Sequence, residues 1–155
     1  MPPPGTKVVA SNRKARRDYA VLDTVEAGIV LVGSEVKSLR SGHVQLADAY
    51  ARVRDGEVWL EGVHIAPYAF ARGFGAHDPD RARKLLLRSD EISRLAARVA
   101  QDRLTLVPLS IYFNDRGIAK VELGLAKGRK HHDKREHLKK EDWKRDKARL
   151  MREKG

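Results

Sequence analysis

A basic cluster near the start of the chain holds the first residues that could do chemistry. Four of the six residues from Asn12 to Arg17 are Arg or Lys. A guanidinium group can contact a phosphate through two hydrogen bonds and can stack on a base, and an asparagine amide can pair with base edges. The cluster favours a nucleic-acid ligand, although a solubilising extension would have the same composition. Its candidate contacts are Asn12, Arg13, Lys14 and Arg16.

Glu26 is an acidic residue at a predicted tight turn, Glu26-Ala27-Gly28, in a basic protein. A carboxylate does not bind phosphate, but it can accept a hydrogen bond from a base amino group or from a ribose hydroxyl. Glu26 is therefore a candidate for RNA contact. On spacing alone, a solvated turn residue is the simpler interpretation, and both stay open.

A short helix is predicted over residues 34–40, where Val36 and Leu39 are three residues apart and would face the core. Lys37 and Arg40 share another face of the same helix. They could clamp a phosphate, or they could belong to an ordinary amphipathic surface helix. The sequence favours neither interpretation.

The segment 84–88 places three consecutive leucines between Lys84 and Arg88. Core packing explains at least two of the leucines. One could remain exposed so that a base can stack on it, but periodicity does not show which one. Lys84 adds a cation beside this position.

The sequence His131-His132-Asp133 raises the question of a metal site. Adjacent side chains of a helix diverge by about 100°, and His132 and His137 are five residues apart, unlike the four-residue spacing of metal-binding pairs. No metal is predicted, since no set of clustered carboxylates accompanies these histidines. Stacking on RNA bases is the better interpretation for a histidine in a basic segment.

Motifs for catalysis are absent from the sequence. It has neither a G-x-x-x-x-G-K-[ST] phosphate loop nor a G-x-S-x-G nucleophile elbow. Enzyme activity is not expected, and no cofactor is predicted.

The overall charge points to a polyanionic partner. Lys and Arg number 32 against 21 Asp and Glu, which gives a net charge of +11, and +7 of this lies in residues 127–155. Clustered cations bind phosphates with release of counterions, which gives affinity without reading of the base sequence. An anionic membrane is the competing partner, but no segment has the large apolar face of an interfacial helix.

Composition also indicates the compartment. The chain has no cysteine, which excludes disulfides, cysteine-based zinc sites and thiol catalysis. The first residues lack the apolar core of a signal peptide, and no apolar run approaches the roughly 18 residues of a membrane span. A cytoplasmic protein is expected.

The elements that must position these residues are mostly short strands. Residues 19–23 and 28–32 read as two strands joined by the Glu26 turn, and Asp55-Gly56 predicts a hairpin. A helix is expected to run from about residue 89 to 101. Short strands with glycine-bearing turns favour a small closed, oligonucleotide-binding-like β-barrel with two or three flanking helices. This body would span residues 12–128.

Both ends of the chain differ from this body. Residues 1–11 are predicted to be flexible because they contain three prolines and a glycine. The tail, residues 129–155, is rich in helix formers but poor in apolar residues, so an isolated helix would be marginal. We expect the tail to be disordered when free and helical when bound. Trp143, Leu150 and Met151 argue against an inert solubilising extension.

Ordered blocks along nearly the whole chain, from about Ser11 to Met151, resemble the SsrA-binding protein (small protein B) family, the bacterial partner of transfer-messenger RNA. The blocks are Asn12-Arg13-Lys14-Ala15-Arg16, Glu26-Ala27-Gly28, Glu35-Val36-Lys37-Ser38-Leu39-Arg40, Asp48-Ala49-Tyr50, Arg83-Lys84-Leu85-Leu86-Leu87, Val121-Glu122-Leu123-Gly124-Leu125-Ala126-Lys127-Gly128, Asp133-Lys134-Arg135 and Asp146-Lys147-Ala148-Arg149-Leu150-Met151. Such a series at matching separations is far more specific than any single motif.

The resemblance implies an oligonucleotide-binding-like barrel and a task in trans-translation. Members bind the tRNA-like domain of transfer-messenger RNA and carry it to the A site of stalled ribosomes, one copy per RNA. It implies an RNA-binding face with Asn12, Glu26 and Leu86, to which we add Lys37, Arg40, Lys120, Lys127 and Lys130. It also implies a tail that acts in the decoding centre and messenger channel of the small subunit, through His132, Asp133, Lys134, Arg135, Trp143, Leu150 and Met151.

Two alternatives stay open on the sequence. One is a ribosomal protein-like module that binds ribosomal RNA and has a basic tail. The other is an RNA-processing enzyme, which would need a cluster of metal-binding acids that the sequence does not show.

Overall fold

The computed structural model describes residues 5–68 and 76–128, which hold nine strands and three helices. The strands are β1 (Lys7–Ser11), β2 (Tyr19–Ile29), β3 (Val44–Gln45), β4 (Tyr50–Arg54), β5 (Glu57–Glu61), β6 (His64–Ile65), β7 (Arg83–Leu86), β8 (Thr105–Phe113) and β9 (Ala119–Gly128). The helices are α1 (Arg13–Asp18), α2 (Gly33–Arg40) and α3 (Ser89–Asp102). Within these residues, none of the helices has the length and apolar character needed to span a bilayer. The predicted tail lies outside the described residues.

Six of the strands close a ring of antiparallel pairs. Its order is β8, β4, β5, β7, β2, β9 and back to β8. β1 adds to the ring at the end of β8, opposite Ser110 to Phe113. The predicted mainly β fold with flanking helices is confirmed, and the ring is compatible with an oligonucleotide-binding-type barrel.

The hydrophobic core fills the inside of this ring and the space under two helices. Val58, Leu60 and Leu123 are fully buried on β5 and β9. Leu39 of α2 and Leu95 of α3 join the same cluster, as the predicted apolar stripes of both helices required. Burial of a leucine side chain contributes about 1.5–3 kcal/mol, so the core holds the helices against the barrel.

The segment predicted to be flexible, residues 1–11, extends too far into the chain. Residues 7–11 form β1, whose backbone pairs with β8 in an antiparallel register from Lys7 opposite Phe113 to Ser11 opposite Ser110. The three prolines that suggested disorder all precede this strand, and Val9 packs against the core. The body therefore begins at about residue 7, and residues 1–4 lie outside the described part.

The predicted break between two strands at Glu26 is also wrong. β2 runs without a turn from Tyr19 to Ile29 and pairs with β9 over almost its whole length. Gly28 does not turn the chain. It lies directly opposite Leu86 of β7, where a Cβ would meet the Leu86 Cβ at 3.2 Å. The glycine serves a close approach between strands, which looks the same in sequence as a turn glycine.

The Asp55-Gly56 hairpin is confirmed. It joins β4 to β5, and both residues have positive φ angles, 53° and 74°, as a two-residue turn of type I′ requires. The predicted helix at 89–101 is confirmed within one residue as α3.

Candidate RNA interface

The outer faces of four neighbouring strands bring together predicted RNA-binding residues that are distant in sequence. Leu86 on β7 lies opposite Gly28 on β2. Gly28 in turn lies opposite Lys120 on β9, and Lys120 lies opposite Tyr112 on β8. Directly opposed residues of antiparallel strands project to the same face. These four residues therefore form one line across the barrel, which we call the outer-face row.

Glu26 lies beside this row, two residues before Gly28 and on the same face of β2. Its side chain is exposed, and it lies opposite Glu122 of β9. The hydroxyl of Tyr112 donates a hydrogen bond to Oε2 of Glu26. Glu26 is thus an oriented carboxylate on a central strand, rather than the solvated turn residue that spacing alone favoured.

The surroundings of Tyr112 keep its hydroxyl protonated. The residue is only 2% exposed, and burial raises the pKa of its hydroxyl. The hydrogen bond to Glu26 and the negative charge of that side chain raise the pKa further. The hydroxyl therefore stays a donor to Glu26 throughout the neutral pH range.

The structure decides which of the three leucines after Lys84 is available to a ligand. Leu85 is 1% exposed and belongs to the core, whereas Leu86 is 54% exposed on the outer face. Alternation along β7 places them on opposite faces of the strand. Leu86 packs over Gly28, so its apolar surface lies beside Glu26 and Lys120.

The candidate lysines differ in their surroundings. Lys120 lies within the outer-face row, and Lys127 is exposed near the end of β9. Lys84 lies on the same face of β7 as Leu86, and its Nζ lies 3.1 Å from Oε1 of Glu57. Such a half-exposed pair contributes little to stability, so Lys84 can exchange this partner for a phosphate. Lys130 lies outside the described residues.

Asn12 does not present its amide to a ligand. The residue is 2% exposed. Its Nδ2 donates to the carbonyl oxygens of Leu46 and Pro108 at 3.0 and 2.9 Å, and its Oδ1 accepts from the backbone N–H of Ala15 at 3.0 Å. These bonds cap α1 and fasten it to β8. The expectation that Asn12 pairs with base edges is therefore corrected to a structural role.

The basic cluster after Asn12 is carried by α1. Ala15 is the buried residue of this helix and packs on Val107, Leu109 and Ala126, so α1 covers the outer side of β8 and β9. Arg13, Lys14 and Arg16 are exposed on it. Lys14 Nζ lies 2.6 Å from Oδ1 of Asp48, and this hydrogen bond raises the pKa of Lys14.

The two cations of α2 lie over aromatic rings. The Lys37 ammonium is 5.4 Å from the ring centre of Tyr68, and the Arg40 guanidinium is 5.2 Å from that of Phe113. Both distances allow cation–π attraction. Phe113 is the last residue of β8 and belongs to the core cluster, so Arg40 lies at that end of the barrel.

A buried ion network that was not predicted from the sequence lies between the cations of α2 and the strand β7. Glu35 of α2 and Arg83 of β7 are both fully buried, and Arg83 Nε donates to Oε2 of Glu35 at 2.8 Å. Arg81 makes a second ion pair with the same carboxylate. Arg83 also donates to the carbonyl oxygen of Val63 at 2.7 Å. The network joins α2, which carries Lys37 and Arg40, to the strand that carries Lys84 and Leu86.

The hydrogen bonds of the network favour the ionised form of Glu35. Burial by itself raises the pKa of this carboxyl, but hydrogen bonds from Arg81, from the backbone N–H of Val32 and from Arg83 outweigh burial. The pKa of Glu35 therefore lies below its usual value. The same carboxylate accepts from Val32 at 2.9 Å and so caps the N-terminus of α2.

Nothing in periodicity could have revealed Tyr112 or Arg83 as partners of these glutamates. The separations are 86 and 48 residues. The neighbours of Glu35 include Ser34 and Lys37, so its burial could not be predicted from the local sequence either.

The remaining site predictions lie outside the described residues: His132, Asp133, Lys134, Arg135, Trp143, Leu150 and Met151. Within residues 5–68 and 76–128, no group of three or more His, Cys, Asp or Glu side chains could hold a metal ion.

Comparisons with known proteins cover nearly the whole chain. The family model described as SmpB protein matches residues 9–153. The SsrA-binding protein of Sphingopyxis alaskensis is 57% identical over 149 residues, which is 96% of this chain and 92% of the relative. The SsrA-binding protein of Rhizobium etli is 56% identical over 149 residues, with 96% and 93% covered.

A solved structure gives the same result. It is described as "tmRNA-SmpB: a journey to the center of the bacterial ribosome", and its chain is 55% identical to this one with a TM-score of 0.65. The match covers 79% of this chain and 85% of that chain. Because the family model spans more than nine-tenths of the sequence and relatives share more than half of their residues with it, this chain belongs to the SmpB protein family.

Proposed function

We propose that this chain is an RNA-binding adaptor of trans-translation. It binds the tRNA-like domain of transfer-messenger RNA and delivers this RNA to the A site of stalled ribosomes, where the nascent peptide is tagged for degradation and the ribosome is released. The observation that carries the proposal is the outer face of the barrel. There, Glu26, Leu86 and Lys120 lie side by side although they are up to 94 residues apart in sequence.

Each side chain of this face suits a different part of an RNA. Lys120 can neutralise a phosphate, and the exposed side chain of Leu86 can pack against an unstacked base. Glu26 can accept from a base amino group or a ribose 2′-hydroxyl. A surface for general polyanion binding would gain nothing from Glu26, so the combination favours a specific RNA shape over random attachment.

The tail has a separate task in this proposal. Residues 129–155 would fold as a helix in the empty messenger channel of the small subunit, with Trp143, Leu150 and Met151 as apolar contacts. His132, Asp133, Lys134 and Arg135 would lie in the decoding centre. The tail would thus sense that no messenger RNA is present, and both tasks place the protein in the cytoplasm.

The mechanism needs no catalytic group of this chain. The body completes a tRNA-like shape, and the chemistry of peptide transfer belongs to the ribosome. A ribosomal protein-like module that binds ribosomal RNA is the second candidate, and its basic tail would then supply part of the RNA affinity.

Truncation after Gly128 separates these two functions. The adaptor predicts that binding of the truncated chain to the tRNA-like domain stays within about threefold of the full chain, because the outer-face row is intact, while tagging on stalled ribosomes is lost. Binding is measured by filter retention, and tagging in a reconstituted translation reaction with a messenger that lacks a stop codon.

The matched control is Lys120→Ala in the full-length chain. It removes one phosphate contact while the tail is kept, so RNA affinity should fall and the salt dependence of binding should decrease by about one counterion. If affinity disappeared with the tail and survived Lys120→Ala, the proposed division between body and tail would be wrong.

A further inference from the structure

The contact between Tyr112 and Glu26 is unusual in its geometry. Tyr112 lies directly opposite Lys120, and Glu26 lies on the far side of β9 from Tyr112. The phenol ring therefore crosses over β9 to bring its hydroxyl to Oε2 of Glu26. A buried ring thus ends in a hydrogen bond to an exposed carboxylate.

Glu26 needs such a partner to hold a defined position. A glutamate side chain on a surface loses rotamer freedom when it is ordered. In addition, Glu122 lies directly opposite Glu26 on β9, and like charges at directly opposed positions repel each other. Without a donor on the barrel side, the Glu26 carboxylate would swing away from Glu122 into solvent.

We propose that Tyr112 is a positioning residue for RNA binding. Its hydroxyl holds Oε2 of Glu26, and the second oxygen, Oε1, is thereby presented beside Lys120 to an amino or hydroxyl donor of the RNA. Among the described residues, Oε1 accepts no hydrogen bond from the protein. This inference rests on the proposed function, because it assumes that Glu26 contacts RNA.

The raised pKa of Tyr112 is a consequence of burial and of this geometry. The hydroxyl remains protonated at every pH at which the complex would form, so the hydrogen bond always runs from Tyr112 to Glu26. Pre-organisation of this kind reduces the ordering cost of binding.

The test is a double-mutant cycle on the full-length chain with a transcript of the tRNA-like domain. Tyr112→Phe keeps the buried ring and removes only the hydroxyl, and we expect affinity to fall about three- to tenfold, as the loss of one ordered side chain implies. Glu26→Ala should weaken binding at least as much. The double variant should bind no more weakly than Glu26→Ala alone, because Tyr112 acts only through Glu26.

Tyr50→Phe is the matched control. It removes a phenol hydroxyl from an exposed tyrosine of β4, and affinity should stay within twofold of wild type. Glu26→Asp is a second way to break the same hydrogen bond. It keeps the negative charge but shortens the side chain by one methylene, which moves the carboxylate away from the Tyr112 hydroxyl. It should reproduce the loss seen with Tyr112→Phe even if that variant folds poorly.

The outcomes distinguish the inference from the function on which it rests. If Glu26→Ala weakens binding but Tyr112→Phe and Glu26→Asp do not, the positioning role is overturned and the proposed RNA interface stands. If the two losses multiply in the double variant, Tyr112 acts independently of Glu26 and the inference is again wrong. If Glu26→Ala leaves affinity unchanged, the assignment of Glu26 to the interface fails first.

Discussion

Glu26 and Glu35 are nine residues apart in sequence, and the structure gives them opposite surroundings. Glu35 is fully buried and is bound by Arg81 and Arg83. Glu26 is exposed, and within residues 5–68 and 76–128 it has a single hydrogen bond, from Tyr112. A carboxylate enclosed by two guanidinium groups cannot accept further hydrogen bonds from a ligand. A carboxylate that is hydrogen-bonded through one oxygen can still accept them through the other. The partners of an acidic group, more than its residue type, separate a structural role from a binding role.

Of the substitutions that test this contrast, Glu35→Gln should lower the free energy of unfolding the most. The amide keeps the shape of the side chain but leaves Arg83 buried without a counter-charge, which costs about 3–5 kcal/mol of the free energy of unfolding. Glu26→Gln should change the same quantity by no more than about 0.5 kcal/mol, as is usual for exposed positions. Urea unfolding followed by circular dichroism measures both. Equal losses in the two variants would contradict the distinction.

The pH dependence of the unfolding free energy should also reveal the role of Glu35, with a smaller effect than the substitution itself. The pKa of Glu35 is lower in the folded chain than in the unfolded chain, so its stabilising contribution is fully present above the unfolded value of about 4.3. This contribution is lost as the pH falls through the folded pKa, because the unfolded chain then binds the proton more readily. The difference in unfolding free energy between wild type and Glu35→Gln should narrow below about pH 4.3.

Acid unfolding of wild type and of Glu35→Gln measures this difference in unfolding free energy. A constant gap between wild type and Glu35→Gln down to pH 3 would mean that the ionised network does not supply the stability.

Glu57→Gln should have the smallest effect. Glu57 pairs with Lys84, and both side chains are about 40% exposed. Exposed pairs contribute about 0.2–1 kcal/mol. The glutamine oxygen can still accept the hydrogen bond from Lys84, so the unfolding free energy should change by only part of this, less than about 0.5 kcal/mol. RNA affinity should stay equal or rise slightly, since Lys84 is then free for a phosphate. A loss near that of Glu35→Gln would show that exposure is a poor guide to the role of an acid here.

Local signals in the sequence were sufficient for much of the fold. The tight hairpin turn requires two positive φ angles, and Asp55-Gly56 adopts them. The spacing of the apolar residues from Ile92 to Val99 indicates the helix α3. Both depend on nearest neighbours along the chain, which is why they could be predicted. Glycine is ambiguous by contrast: Gly28 was assigned to a turn, but it lies within a strand against Leu86. Only the partner strand distinguishes these two uses.

The site was predictable in its residue types but not in its arrangement. Glu26 and Leu86 came from a family resemblance, Lys120 was added to them as a basic position, and no spacing rule connects the three. Asn12 shows the limit of such transfer, because its amide is used inside the protein to hold α1. Tyr112 was overlooked, since an aromatic residue in an apolar strand has the same pattern whether it packs in the core or orients a neighbour.

The sequence by itself determined the charge, the class of ligand and the mainly β character, because these depend on composition and on short-range alternation. Tertiary structure alone decided which leucine faces outward, which glutamate is buried and which hydroxyl reaches Glu26. Those outcomes follow from contacts between residues that are 48 to 86 positions apart in the chain. A shift of one residue in any strand would move its side chains to the other face, so the outer-face row forms only once the ring of strands has closed.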